Sequence, residues 1–298
     1  MKPQQKAILK TLVYADLFDY PLTAPEIFRL LIIEDKRLKP SRPSLEKDLR
    51  ELKRVGEVKS SKGNFALRGV KKLVNLKRKR LGLANQKRKK AKKISSVLIK
   101  IPSVKLIGLT GSVAFNNAQD KDDIDLLIVA GLRRLWLTRL LVVFILELWG
   151  RRRRPGDEAA KDKICLNLFL TQGNLALPSK RRNLFTAHEL GQLEVLDQKD
   201  NTYAHFLKAN LWVRKFLPHL FAPHKKMVAL KDKTFASSSR FLDYLEKMAF
   251  KVQLAYMKKK RKGEDIGSGF AFFHPQDMSK RVLENYDLKL RRNNLRPD

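Results

Sequence analysis

The chain has 298 residues, enough for two or three domains with cores of their own, and its 43% hydrophobic residues exclude a disordered chain. Its 64 Lys and Arg against 30 Asp and Glu give a formal charge of +34, which points to a polyanion (nucleic acid or an anionic lipid surface) unless it serves solubility alone. The single cysteine, Cys165, excludes an internal disulfide and fits a reducing, cytoplasmic location, and no Cys/His cluster has zinc spacing.

The first residues lack a cleavable apolar leader and predict an amphipathic helix over Gln4 to Asp16, with Ile8, Leu9, Leu12 and Val13 on one face. Thr23-Ala24-Pro25-Glu26 is a capping box that opens a second helix through Ile27, Leu30 and Leu31. Ser41 or Ser44 starts a third, with Leu45, Leu49 and Leu52 on one side and Gly56 as its stop. Val58, Lys62-Gly63-Asn64, Phe65 and Leu67 predict a hairpin. Three helices followed by a hairpin resemble the winged helix-turn-helix. That resemblance implies a third helix in a groove, lined by Arg42, Lys47, Arg50, Lys53 and Arg54, with Lys59 and Lys62 on the wing. Glu46, Asp48 and Glu51 dilute this face, and such modules also dock proteins, so both roles stand.

Residues 70–100 carry many Lys and Arg and no acid. Ala84, Ala91 and Leu98 recur at seven, extended by Leu73, Leu76 and Ile94, which predicts a long helix with a thin apolar stripe. Lys87, Arg88, Lys89 and Lys90 would belong to a basic rail for a phosphate backbone, or to a solvated linker.

Lys105 to Ala130 is the most informative stretch. An apolar run through Leu106, Ile107 and Leu109 ends in Thr110-Gly111-Ser112. A second run, Ile124 to Ala130, carries Asp123 and Asp125 at its entrance. Gly and Ser at a strand-to-helix turn expose backbone N–H groups to phosphate. Residues two apart in a strand share a face, so the two carboxylates point one way, as a divalent cation and a nucleoside triphosphate require. The bland alternative is a solvated turn containing Asp120, Asp122 and Asp123. Gly111-Ser112, ten intervening residues, then Asp123-Ile124-Asp125 and an apolar strand resemble the signature of the polymerase β-type nucleotidyltransferase superfamily. The resemblance implies that Gly111 and Ser112 hold the triphosphate while Asp123 and Asp125 hold Mg²⁺ (or Mn²⁺).

Leu135 to Trp149 is too short to span a bilayer and carries Arg139 and Glu147, so a buried helix is expected over surface attachment to anionic lipid. A basic loop, Arg151 to Gly156, leads to a strand over Lys163 to Leu170, where the superfamily keeps a third carboxylate. Alternation puts Ile164, Leu166, Leu168 and Leu170 on one face and Lys163, Cys165, Asn167 and Phe169 on the other. Asn167 is the hard-ligand candidate, and it cannot take a proton. Asp162 would reach the site only through a bulge, and His188 with Glu189 reads either as a helix-surface pair or as facing the cleft.

Asn183 to Pro223 is expected to be helical. A loop over 227–237 follows, then a helix capped by Ser238 or Ser239 that ends in the basic run Lys258 to Lys262. Gly267 to Pro275 reads as a loop packed by its phenylalanines, and a short helix to Leu290 and a basic tail close the chain. The expectation is therefore an α+β protein: a winged module (1–70), a basic linker helix (71–100), a small mixed-sheet nucleotidyltransferase-like core (101–182) and a helical C-terminal region (183–298). Its expected activity is Mg²⁺-dependent transfer of a nucleoside monophosphate from an NTP to a hydroxyl, with a nucleic acid or another polyanion as partner. The alternative is a degenerate relative that only binds nucleic acid.

Overall fold

The computed structural model describes residues 1–35, 37–154, 156–157, 160–220, 240–258, 265–267, 269–273 and 277–295. The expected Ser238 or Ser239 cap, the 227–237 loop, the basic run over 259–262 and the last three residues lie outside them. Elements are numbered in chain order: α1 (Pro3–Asp16), β1 (Leu22–Thr23), α2 (Ala24–Arg29), α3 (Arg42–Arg54), β2 (Lys59–Ser61), β3 (Asn64–Ala66) and α4 (Val70–Leu98). Next come β4 (Val104–Thr110), α5 (Gly111–Ala114), β5 (Ile124–Ala130), α6 (Leu135–Leu148) and β6 (Ile164–Thr171). Then follow α7 (Leu184–Gly191), β7 (Glu194–Gln198), α8 (Thr202–Ala209), α9 (Arg240–Lys258), β8 (Asp265–Gly267), β9 (Phe270–Phe272) and α10 (Asp277–Arg292).

Local chemistry accounts for the first third. Thr23 caps α2, its hydroxyl accepting from the Glu26 N–H while Glu26 accepts from the Thr23 N–H at 2.7 Å. Ser41, rather than Ser44, caps α3. The hairpin β2–β3 forms over Gly63, and β1 adds to its other edge, giving a three-stranded sheet ordered β1-β3-β2. Helix α1 exceeds its expected amphipathic role. It is buried on nearly every side, and even Lys10 lies inside, paired with Glu34.

A six-stranded mixed sheet ordered β7-β4-β5-β6-β9-β8 forms the centre, with β5 and β6 the parallel pair. Its two faces feed two hydrophobic clusters. Leu106, Leu127, Val129 and Leu170 join α1, α3, α7 and α10, while Ile107, Leu109, Leu126, Ile128 and Phe169 join α4, α6 and α9. The N-terminal helices therefore share one continuous core with the sheet. Among the described residues no helix is long and apolar enough to cross a membrane.

Three expectations are corrected. The C-terminal region is not wholly helical: β7 pairs with β4, and β8 and β9 form a hairpin on the edge of β6 where a packed loop was expected. Alternation along β6 breaks at a bulge, where Leu126 faces Leu166 but Leu127 faces Leu168. Ile164, Leu166 and Phe169 consequently share one cluster and Leu170 belongs to the other. Helix α6 is buried on one side only. Glu246 of α9 accepts from the N–H groups of Trp136 and Leu137 at its start, while Leu140, Leu141, Phe144 and Leu148 stay exposed.

Candidate active site

The end of β4 and the start of β5 define the site. They are antiparallel neighbours with Thr110 opposite Asp125, so the turn after β4 abuts the carboxylate. Gly111 has φ +65°, and a Cβ there would lie 2.3 Å from Asp125 Oδ2. Glycine is thus required both for the left-handed backbone and for the close approach. Helix α5 is only four residues long, so the turn offers backbone N–H groups without the dipole of a long helix. The Ser112 hydroxyl donates to Asp122 Oδ2 at 2.7 Å, which also accepts from the Gln119 N–H, and this braces the loop that leads into Asp123.

Asp123 and Asp125 converge. One ligand atom from each and the sulfur of Cys165 lie within 4.8 Å of one another. Cys165 stands opposite Asp125 in the parallel β5–β6 pair. Asn167, the residue carried by the bulge, donates from Nδ2 to Asp125 Oδ1 at 2.5 Å and accepts from the Cys165 thiol at 2.8 Å. Arg153 donates to Asp123 Oδ2 at 2.5 Å. Burial, and then the charge of Asp125, raise the Asp123 pKa above the usual carboxylate value, against the pull of Arg153. Burial and the two carboxylates push the Cys165 thiol well above its ordinary value, so it remains protonated at neutral pH.

These groups, Cys165 excepted, line part of a cavity of about 620 Å³. Gly111, Ser112, Asp123, Asp125 and Asn167 all reach it. Arg153 also does, although sequence reasoning assigned it no role. Its one sequence signal was a basic loop preceding a strand; the bridge between Arg152 and Ile164 sets it beside the site. Asp162 does not reach it: that carboxylate pairs with Lys87 and Lys90 on α4. His188 is no surface residue. It is 4% exposed, stacks on Tyr14 at 4.0 Å between ring centroids, and burial lowers its pKa to about 3. Glu189 beside it lines the cavity.

The basic rail divides in two. Lys87, 2% exposed, donates to the carbonyls of Asp120 and Asp122 and to Asp162 Oδ1. Arg88 binds Glu194, Asn116 and the Val113 carbonyl. Both side chains clamp the site loops; Lys87 is closed off from any outside partner, which corrects its expected role, while Arg88 keeps 21% of its side chain exposed. Lys89 is exposed, and Lys90 pairs with Asp162 at 2.5 Å. On α3, Arg50, Lys53 and Arg54 face solvent, while Asp48 turns inward to Gln4 of α1 and Glu51, 36% exposed, pairs with Lys2 just before that helix. Of the acids expected to dilute that face, Asp48 is buried, and Glu46 and Glu51 stay at the surface.

No protein-family model, no curated protein and no solved structure matches this chain.

Proposed function

We propose that this chain is a Mg²⁺- or Mn²⁺-dependent nucleotidyltransferase with a nucleotidyltransferase-like sheet and a winged-helix N-terminal module. The observation that carries the reading is the convergence of Asp123 and Asp125 against a glycine turn that leaves no room for a side chain. The two carboxylates supply the charge and the hard oxygen ligands that a divalent cation of this class takes. When bound, the cation would neutralise triphosphate charge as the pentavalent centre forms. Gly111 lets the turn backbone lie against Asp125, so that its N–H groups would face phosphate oxygens beside a cation on the carboxylates. Arg153 presents a guanidinium fork suited to phosphate once the cation takes its place on Asp123. Asn167 orients Asp125 through its amide and takes no proton. The order α1-β1-α2-α3-β2-β3, with β1 on the hairpin edge, supports the winged-helix reading, and the outward Arg50, Lys53 and Arg54 give it a basic surface.

A second reading, a protein that binds nucleic acid without catalysis, is favoured by the thiol and amide standing where a third acid was expected. Incubation with Mn²⁺, α-labelled NTPs and a pool of RNA and hydroxylated small molecules separates the two. The enzyme transfers label, and Asp123→Ala/Asp125→Ala does not. Equal label in both proteins, or none in either, would leave only the binding role, with affinity that falls steeply with salt.

A further inference from the structure

The cavity that ends at the two aspartates is apolar through most of its length. Helix α1 contributes Tyr14, the turn after it Phe18, β1 Leu22, α7 Phe185 and β9 Phe272. Its volume of about 620 Å³ falls in the range of sites that enclose a small molecule. Charge argues the same way. The chain carries 64 Lys and Arg, yet no lysine is among the described residues that line this cavity, and its two arginines are Arg153 and Arg181. Arg181 donates from Nε to Asp265 at 3.0 Å and lies over the Phe272 ring at 4.2 Å. Against them stand Asp122, Asp123, Asp125 and Glu189. A strand of nucleic acid needs a cationic track for its phosphates, and away from the two aspartates assigned to the cation this lining offers none. An uncharged ring in a cavity lined by Tyr14, Phe18 and Phe185 meets no such penalty and gains from burial and aromatic contact.

Resting on the nucleotidyltransferase reading, we propose that the acceptor is a small, uncharged, largely apolar alcohol or phenol. It would be held between α1 and α7 with its hydroxyl toward Asp123 and Asp125. The acceptor oxygen forms a bond to the α-phosphorus, the bond from that phosphorus to the bridging β-phosphate oxygen breaks, pyrophosphate leaves, and the hydroxyl proton passes to water.

The test uses the full chain with 2-naphthol as probe, and Mn²⁺ with ATP as a separate titration, both followed by calorimetry. One naphthol is expected to bind saturably, and Ala15→Trp, which fills the cavity from α1, should weaken it at least tenfold with MnATP affinity held within twofold. Should Ala15→Trp fail to fold, Phe18→Ser, at a half-buried position, should weaken naphthol by a similar factor. Label from α-labelled ATP should then pass to naphthol in preference to an RNA oligomer. MnATP binding without naphthol binding, or label passing to RNA alone, overturns the apolar acceptor and leaves the transferase reading standing. Naphthol binding without MnATP binding overturns both and leaves an apolar ligand pocket.

Discussion

Lys87→Met separates a structural helix from a polyanion rail. The wild-type ammonium is almost wholly buried and donates three hydrogen bonds: to the Asp120 carbonyl at 3.0 Å, the Asp122 carbonyl at 2.6 Å and Asp162 Oδ1 at 3.0 Å. Methionine keeps the stem volume and removes all three. Removing one partner of a buried pair costs about 3–5 kcal/mol. Two features place this site at the low end: Asp162 keeps Lys90, and the Asp122 carbonyl keeps the Asp162 N–H at 3.2 Å. A loss of about 3 kcal/mol, with a urea dependence of about 3 kcal/mol per molar for a chain of this size, lowers the unfolding midpoint by about 1 M. Tryptophan fluorescence through a urea titration reads it directly. Lys89→Met, two residues along the helix and exposed, should leave the midpoint unmoved within about 0.5 kcal/mol and weaken polyanion binding instead. If Lys87→Met unfolds like wild type while losing affinity for RNA, the clamp has been misread and the rail is continuous.

Gly111→Ala places a methyl in a backbone at φ +65° and 2.3 Å from Asp125 Oδ2. The strain alone is about 1–2 kcal/mol, and Asp125 must move, so calorimetric Mn²⁺ affinity should drop more than tenfold in a folded protein. Arg153→Gln frees Asp123 from a pair whose arginine is 36% exposed, worth about 1 kcal/mol at most, so Mn²⁺ should bind up to about fivefold tighter. Weaker binding would make Arg153 part of the cation-holding set. His188 titrates near 3 when folded and at 6.5 when unfolded, so the unfolded chain takes up a proton first as pH falls. Stability is intact above 6.5 and declines below it, by about 1.5 kcal/mol between pH 6.5 and 5. In His188→Phe the urea midpoint should fall less over that interval, and an unchanged slope would refute the assignment.

What the sequence disclosed is local. Thr23, Glu26 and Ser41 mark helix starts through bonds made within three residues, and β4, β5 and β6 are apolar runs that Lys105, Asp125 and Asn167 interrupt only singly. β7 was hidden because Leu-Glu-Val-Leu continues a helical pattern from α7; the helix stops at Gly191, and pairing with β4 decides the rest. The bulge at Asn167 leaves no trace in an alternating run, yet it sets which side chains follow Cys165 on each face. The burial of Lys87 is legible in its position. It lies three residues after Ala84 and four before Ala91, on the buried stripe itself, although its charge alone points outward. In the site, the aspartates and the glycine follow from spacing. Arg153 and the aromatic wall arrive from distant segments and needed the fold.

One rod joins two surfaces. Helix α1 supplies Tyr14 to the cavity and the turn after it Phe18, while Gln4 and Gln5 near the helix's other end hold Asp48 and Glu51 of α3. An occupant of the cavity and a partner on the outer side of α3 would therefore both bear on one helix. Thermodynamic reciprocity then requires that whatever factor the first applies to the second's affinity, the second returns in full.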